Sequence, residues 1–125
     1  MIPISGVYEV AIRVRDLGAS EAFYRGVLGF EFALRDEKRS WIFLRAGGSA
    51  GMVVLQEDKG QWPSQHVAFG LRDSELEPAT ALLKEKGIKV IGPIFHSWMP
   101  GRSLYFNDPD GHALELFAPA TEDLS

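Results

Sequence analysis

The chain repeats itself, and the repeat restricts its fold more than any other feature of the sequence. Glu9-Val10-Ala11 followed by Arg15-Asp16 returns as His66-Val67-Ala68 followed by Arg72-Asp73, an offset of 57 residues. Gly51-Met52-Val53-Val54-Leu55 matches Gly111-His112-Ala113-Leu114-Glu115 at an offset of 60. Self-similarity of this kind marks a duplicated supersecondary unit that cannot bury its apolar face alone. With 125 residues, 46% of them hydrophobic, there is room for one core of ordinary size and not for two. Two modules, about 7–57 and 64–118, are therefore expected to make a single domain over 1–125.

Local patterning gives each module the same order of elements. Val7 to Val14 alternates, with Val10, Ile12 and Val14 on one face and Glu9, Ala11 and Arg13 on the other, which reads as a half-buried strand. Ala19 to Leu28 has helical spacing, with Ala22, Phe23, Val27 and the following Phe30 as its apolar stripe and Gly29 placed to end it in a left-handed conformation. Phe30–Arg35, Trp41–Arg45 and Met52–Gln56 read as strands separated by glycine breakers. In the second module, Ser74-Glu75-Leu76-Glu77 reads as a capping box opening a helix over Glu75–Lys86, ended by Gly87. Ile88–Ile91, Ser103–Asn107 and Ala113–Phe117 complete it. The expected fold is α+β: two βαβββ modules curling into a half-barrel with a cavity-facing metal site.

Period-two alternation then places Glu9, Ala11 and Arg13, His66, Ala68 and Gly70, and Ala113, Glu115 and Phe117 on equivalent strand faces. The opposite faces, with Val10, Ile12, Val67, Phe69, Leu71, Leu114 and Leu116, are apolar and suited to packing on the two helices. Carboxylates and an imidazole among very small residues imply a cavity. An unpaired buried carboxylate costs several kcal/mol, so Glu9, His66 and Glu115 converging on one face require a cation, a proton or a basic partner. A divalent metal satisfies all three. One imidazole and two carboxylates suit Mn²⁺, Fe²⁺, Zn²⁺, Ni²⁺ or Mg²⁺ and leave coordination sites for substrate. The place equivalent to Glu115 in the first module is taken by Leu55 on the offset of 60, with a fourth ligand there only if the register shifts to Gln56, so three protein ligands are expected rather than four.

EVAIRVRDLGASEAFYRGVLGFEF (Glu9 to Phe32) and GRSLYFNDPDGHALELF (Gly101 to Phe117) resemble the vicinal oxygen chelate superfamily. That superfamily includes glyoxalase I, fosfomycin-resistance enzymes, extradiol ring-cleaving dioxygenases, methylmalonyl-CoA epimerase and the metal-free bleomycin-resistance proteins. The resemblance spans nearly the whole chain. It implies metal ligands at the positions of Glu9, His66 and Glu115, and a homodimer. The spacing of His96, Tyr105 and Glu115 around Asp108-Pro109-Asp110-Gly111 resembles extradiol dioxygenases, which implies that Tyr105 and His96 hydrogen-bond an oxyanion and move protons. Two departures stand against that branch: Glu9 occupies a place usually held by His, and the further acid–base His of those enzymes would fall near Gly51. Against the fosfomycin enzymes, the places of the cationic side chains that hold phosphonate fall on Phe95 and Leu124, leaving Arg13 and Arg102 to steer an anion. Trp41 and Phe43 would line an aromatic pocket for substrate.

The leading expectation is a metal-dependent enzyme acting on a small molecule through neighbouring oxygens, with dioxygenase-like chemistry ahead of glyoxalase-type isomerisation and thiol transfer. The contrary class is a metal-free binding protein. Plainer readings of the same residues pair Glu9 with Arg13, bury His66 as a core imidazole, leave His96 in a loop and expose His112 after its turn. The formal charge of −4 with scattered basic residues lacks a phosphate-backbone footprint, so nucleic acid is not an expected partner. Without cysteine, neither a disulfide nor a thiolate site is available. No apolar run approaches the ~20 residues of a membrane span, and Met1-Ile2-Pro3-Ile4-Ser5-Gly6 does not read as a signal peptide, so a cytoplasmic location is expected.

Overall fold

The computed structural model of the chain describes residues 1–48 and 51–120. Its elements follow the repeat. The first set is β1 (Glu9–Val14), α1 (Leu17–Glu21, continuing as π-helix over Ala22–Val27), β2 (Glu31–Asp36), β3 (Trp41–Arg45) and β4 (Met52–Glu57). The second is β5 (His66–Gly70), α2 (Leu76–Glu85, after a 3₁₀ turn over Asp73–Glu75), β6 (Ile91–His96), β7 (Gly101–Asn107) and β8 (Ala113–Pro119). The chain divides between Pro63 and Ser64 into two compact units. Each holds one four-stranded sheet, ordered β1-β4-β3-β2 and β5-β8-β7-β6. In both, the first strand is an edge strand running parallel to the last, and the other pairings are antiparallel. The α+β expectation is met. No helix among the described residues is long and apolar enough to cross a membrane.

In the first unit the alternation of β1 is realised at Ile12 and Val14, which are fully buried, while Glu9, Ala11 and Arg13 are exposed; Val10, expected on the buried face, is exposed at the start of the strand. The buried side chains join Tyr24, Ile42, Leu44 and Leu55, all fully buried. Each such aliphatic side chain contributes about 1.5–3 kcal/mol by leaving water. Asp16 caps α1 by accepting the Ala19 N–H at 3.0 Å, and Gly29 ends the helical segment at φ +77°.

Two expectations fail in the second unit, each because a neighbouring interaction takes the residues first. The capping box at Ser74 does not form; the Glu75 N–H bonds the Arg72 carbonyl instead, and the Glu77 carboxylate is held by Arg102. The strand expected over Ile88–Ile91 starts only at Ile91, because Ile88 belongs to the helix terminus. Its N–H bonds the Leu83 carbonyl and the Gly87 N–H bonds that of Lys84, the pair of bonds of a Schellman motif, with Gly87 at φ +78°. His96, read as a loop residue, is consequently the last residue of β6.

Register also corrects the repeat. β1 sets Ala11 opposite Val54 and Ile12 opposite Leu55, while β5 sets Ala68 opposite Glu115. The structural equivalent of Glu115 is therefore Val54; Leu55 faces the other way, beside Ile12. Val54 is no more able to bind a metal than Leu55, so the expected absence of a fourth ligand from that strand is unchanged. Glu9 and His66 do occupy equivalent places, opposite Met52 and Ala113.

Candidate metal site

The polar face of the second sheet carries a connected set of side chains. His66 opens β5, Glu115 lies in the middle of β8, Ser103 and Tyr105 alternate on β7, and His96 ends β6. Cross-strand pairing sets Tyr105 opposite Glu115, Ser103 opposite Phe117 and His96 opposite Gly101, so all point to one side. His66 Nε2 is 3.0 Å from Glu115 Oε1. Its other ring nitrogen lies 3.1 Å from the Ala113 carbonyl oxygen, which can only accept, so Nδ1 carries a hydrogen. In a neutral imidazole Nε2 then presents a lone pair to a carboxylate oxygen, an arrangement that needs a proton or a cation between them. Two ligands of one ion at ~2.1 Å each and roughly at right angles stand about 3 Å apart. The pair therefore fits a divalent metal.

Glu115 itself is 8% exposed, and its second carboxylate oxygen is taken by a hydroxyl. Ser103, completely buried, donates its hydroxyl proton to Glu115 Oε2 at 2.6 Å. Having spent that proton, the Ser103 oxygen accepts from His96 Nε2–H at 3.1 Å, and the Tyr105 hydroxyl oxygen lies 3.0 Å from the same nitrogen. The Tyr105 oxygen accepts there, which leaves its own proton without an acceptor among the described residues. A donor held opposite Glu115 is suited to a developing oxyanion. Trp98, 77% exposed, borders this end, its ring 5.6 Å from that of His96.

The remaining expected residues behave differently. Glu9 is exposed on β1 of the first unit, and among the described residues no group of three or more His, Cys, Asp or Glu is gathered to hold a metal. Trp41 and Phe43 are half-buried neighbours on β3, ring centroids 6.4 Å apart, on the face of that sheet that also bears Ala11 and Arg13. Both arginines expected to steer an anion are already engaged. Arg13 is paired with Asp58, whose carboxyl is held below its usual range by the Gly60 N–H and then by Arg13. Arg102 bonds both oxygens of Glu77 and one of Asp73, which lowers the Glu77 carboxyl and raises the guanidinium. Leu124 lies outside the described residues.

Two members of the site escaped the sequence reading. Ser103 stands two residues before Tyr105, so alternation alone puts it on the ligand face. His112, expected to be exposed, is completely buried. The turn Asp108–Gly111 folds it inward, with Asp108 Oδ1 accepting the N–H groups of Asp110 and His112 at 2.9 Å each.

The family model described as the Glyoxalase/Bleomycin resistance protein/Dioxygenase superfamily matches residues 6–116. Metallothiol transferase FosB of Staphylococcus epidermidis is 29% identical over 126 residues, covering 96% of this chain and 88% of that protein. An integron cassette protein, HFX_CASS4, from the mobile metagenome of the Halifax Harbour sewage outfall has a crystal structure that matches with a TM-score of 0.88 at 50% identity, over 92% of this chain and 99% of that one. The E126Q mutant of the fosfomycin resistance protein FosX from Listeria monocytogenes, crystallised with Mn(II) and 1S,2S-dihydroxypropylphosphonic acid, matches with a TM-score of 0.79 at 25% identity, over 95% of each chain. Relatives of this kind do not support the ring-cleaving chemistry that the spacing of His96, Tyr105 and Glu115 favours.

Proposed function

Because the chain belongs to the glyoxalase/bleomycin resistance protein/dioxygenase superfamily, we propose that it is a metal-dependent enzyme that adds a small nucleophile, a thiol first of all, to a small electrophile bearing neighbouring oxygens. The observation that carries this reading is the His66–Glu115 pair at 3.0 Å, linked through Ser103 and His96 to a tyrosine with a proton to give. His66 and Glu115 are the proposed ligands in the second unit, and Glu9 holds the register place of His66 in the first. A divalent cation held there supplies a Lewis acid for the substrate's oxygens.

This chain's own residues do the rest. Ser103 keeps the Glu115 carboxylate turned toward the ligand position, and the Ala113 carbonyl keeps His66 in the tautomer whose Nε2 is free of hydrogen. For a strained cyclic ether as substrate, the thiolate sulfur forms the new C–S bond while the C–O bond breaks. The Tyr105 hydroxyl gives its proton to the released oxygen, and the proton lost by the thiol returns to Tyr105 through solvent. Engagement of Arg13 and Arg102 by carboxylates argues for electrophiles beyond phosphonates. Exposed apolar side chains on β2 and β6, among them Leu34 and Ile91, favour a second copy of the chain as the partner, with sedimentation velocity as the check.

The test is a mass-spectrometric search for thiol adducts and diols. Mn(II)-loaded protein is incubated with fosfomycin or a neutral epoxide and a panel of low-molecular-weight thiols. An adduct lost in both E115A and H66A supports the reading. A protein that binds Mn(II) yet turns over none of these combinations removes it, and one that binds no divalent metal restores the metal-free binding class.

A further inference from the structure

We propose that His112 is a positioning residue for His66, fastening the end of the strand that carries it. The inference rests on the metal reading above. Among the described residues edge strand β5 pairs with one strand, β8, so the placement of its first residue, His66, depends on how that end of the parallel pair is closed. It is closed by a side chain. The Gln65 N–H donates to His112 Nδ1 at 2.8 Å, while the Ala113 N–H donates to the Gln65 carbonyl at 2.9 Å. Since a backbone N–H only donates, Nδ1 carries the lone pair and the imidazole is neutral with its hydrogen on Nε2. The ring is fully buried, and its own backbone is held on both sides by Asp108, whose Oδ1 accepts the His112 N–H and whose N–H donates to the His112 carbonyl. The next residue in each strand completes the arrangement, with the His66 ring bonded to the Ala113 carbonyl.

The first unit makes the comparison that separates this role from folding alone. It closes its parallel pair with the equivalent backbone bond, Met52 N–H to Tyr8 carbonyl at 2.8 Å, yet the residue in the place of His112 is Gly51. A Cβ there would lie 2.8 Å from the Val7 carbonyl oxygen, so the first unit has no space for a side chain at this point. The fold thus forms the pair without a clamp. The clamp is present in the unit that carries the His66–Glu115 pair.

The test uses apo full-length protein, Mn(II) as the probe and electron paramagnetic resonance of free Mn(II) as the readout, with thermal melting of each apo variant alongside. H112N sets an amide oxygen where Nδ1 stands, H112Q sets one where Nε2 stands, and H112A offers neither. H112A and H112Q are expected to weaken Mn(II) binding by at least about tenfold, and H112N to stay within about threefold of wild type. If H112A does not fold, the H112N and H112Q pair carries the comparison. Wild-type affinity in H112A, or equal loss in H112N and H112Q, overturns the inference and leaves the metal reading standing. Absence of Mn(II) uptake by wild type, matched by H66A, removes both.

Discussion

Replacing Ser103 by alanine isolates one hydrogen bond of the site. The hydroxyl is completely buried and donates to Glu115 Oε2 at 2.6 Å, the short range of a bond between a hydroxyl and a carboxylate. Alanine keeps the β-carbon and leaves no void the size of a methyl group, so the loss is that of the bond. His96 Nε2–H retains Tyr105 as an acceptor at 3.0 Å, so the second partner is not orphaned. A hydrogen bond to a charged group contributes about 1.5–3 kcal/mol, and S103A is expected to lose that much stability at neutral pH. Urea denaturation followed by tryptophan fluorescence measures it, Trp98 reporting from beside His96. Because the same bond orients a proposed ligand, Mn(II) affinity is expected to fall by about 10- to 100-fold in parallel. A variant within about 0.5 kcal/mol of wild type and with unchanged Mn(II) affinity refutes the view that Ser103 supports Glu115.

Tyr105→Phe removes the proton donor without touching a ligand; thiol addition is expected to slow by about 10²–10⁴-fold with Mn(II) affinity unchanged, as steady-state kinetics and the same titration would record. Arg102 lowers the Glu77 carboxyl in the folded chain, so the stability this pair contributes is fully present above the ordinary carboxylate range and is lost as pH falls through the lowered value. The melting-temperature difference between wild type and R102M is therefore expected to be greatest near neutral pH and to close in strong acid. At Gly101 a Cβ would lie 2.6 Å from the Ala118 carbonyl oxygen and 2.5 Å from Phe117 Cζ, so G101A is expected to cost about 1–3 kcal/mol in chemical denaturation.

The legible parts of this chain are those decided by neighbours in sequence. Alternation placed His66, Glu115 and Tyr105 on one face, and Gly29 and Gly87 end their helices as left-handed residues. What could not be read depended on partners far along the chain. Nothing local shows that Arg102 is taken up by Asp73 and Glu77, 29 and 25 residues away, and the same contact dissolves the capping box. Leu55 was aligned to Glu115 through the two glycines, but strand register is set by backbone pairing, and a shift of one residue turns a side chain to the opposite face. The burial of His112 follows from the Asp108 turn and from the Gln65 N–H, 47 residues before it, and nothing beside it in the sequence shows either.

The parallel edge pair has a bearing on the order in which the second unit assembles. β6, β7 and β8 succeed one another along the chain and pair antiparallel, so they zip from near neighbours, whereas β5 must wait for β8 across 47 residues. Closing so long a loop comes late in folding. His66 and Glu115 sit on the two strands that meet last, so a nascent or partly opened chain holds no competent donor pair. With these two as the proposed ligands, metal capture would report that the unit has finished folding, and a chain that loosens would release the ion by detaching one edge strand while the other three stay paired.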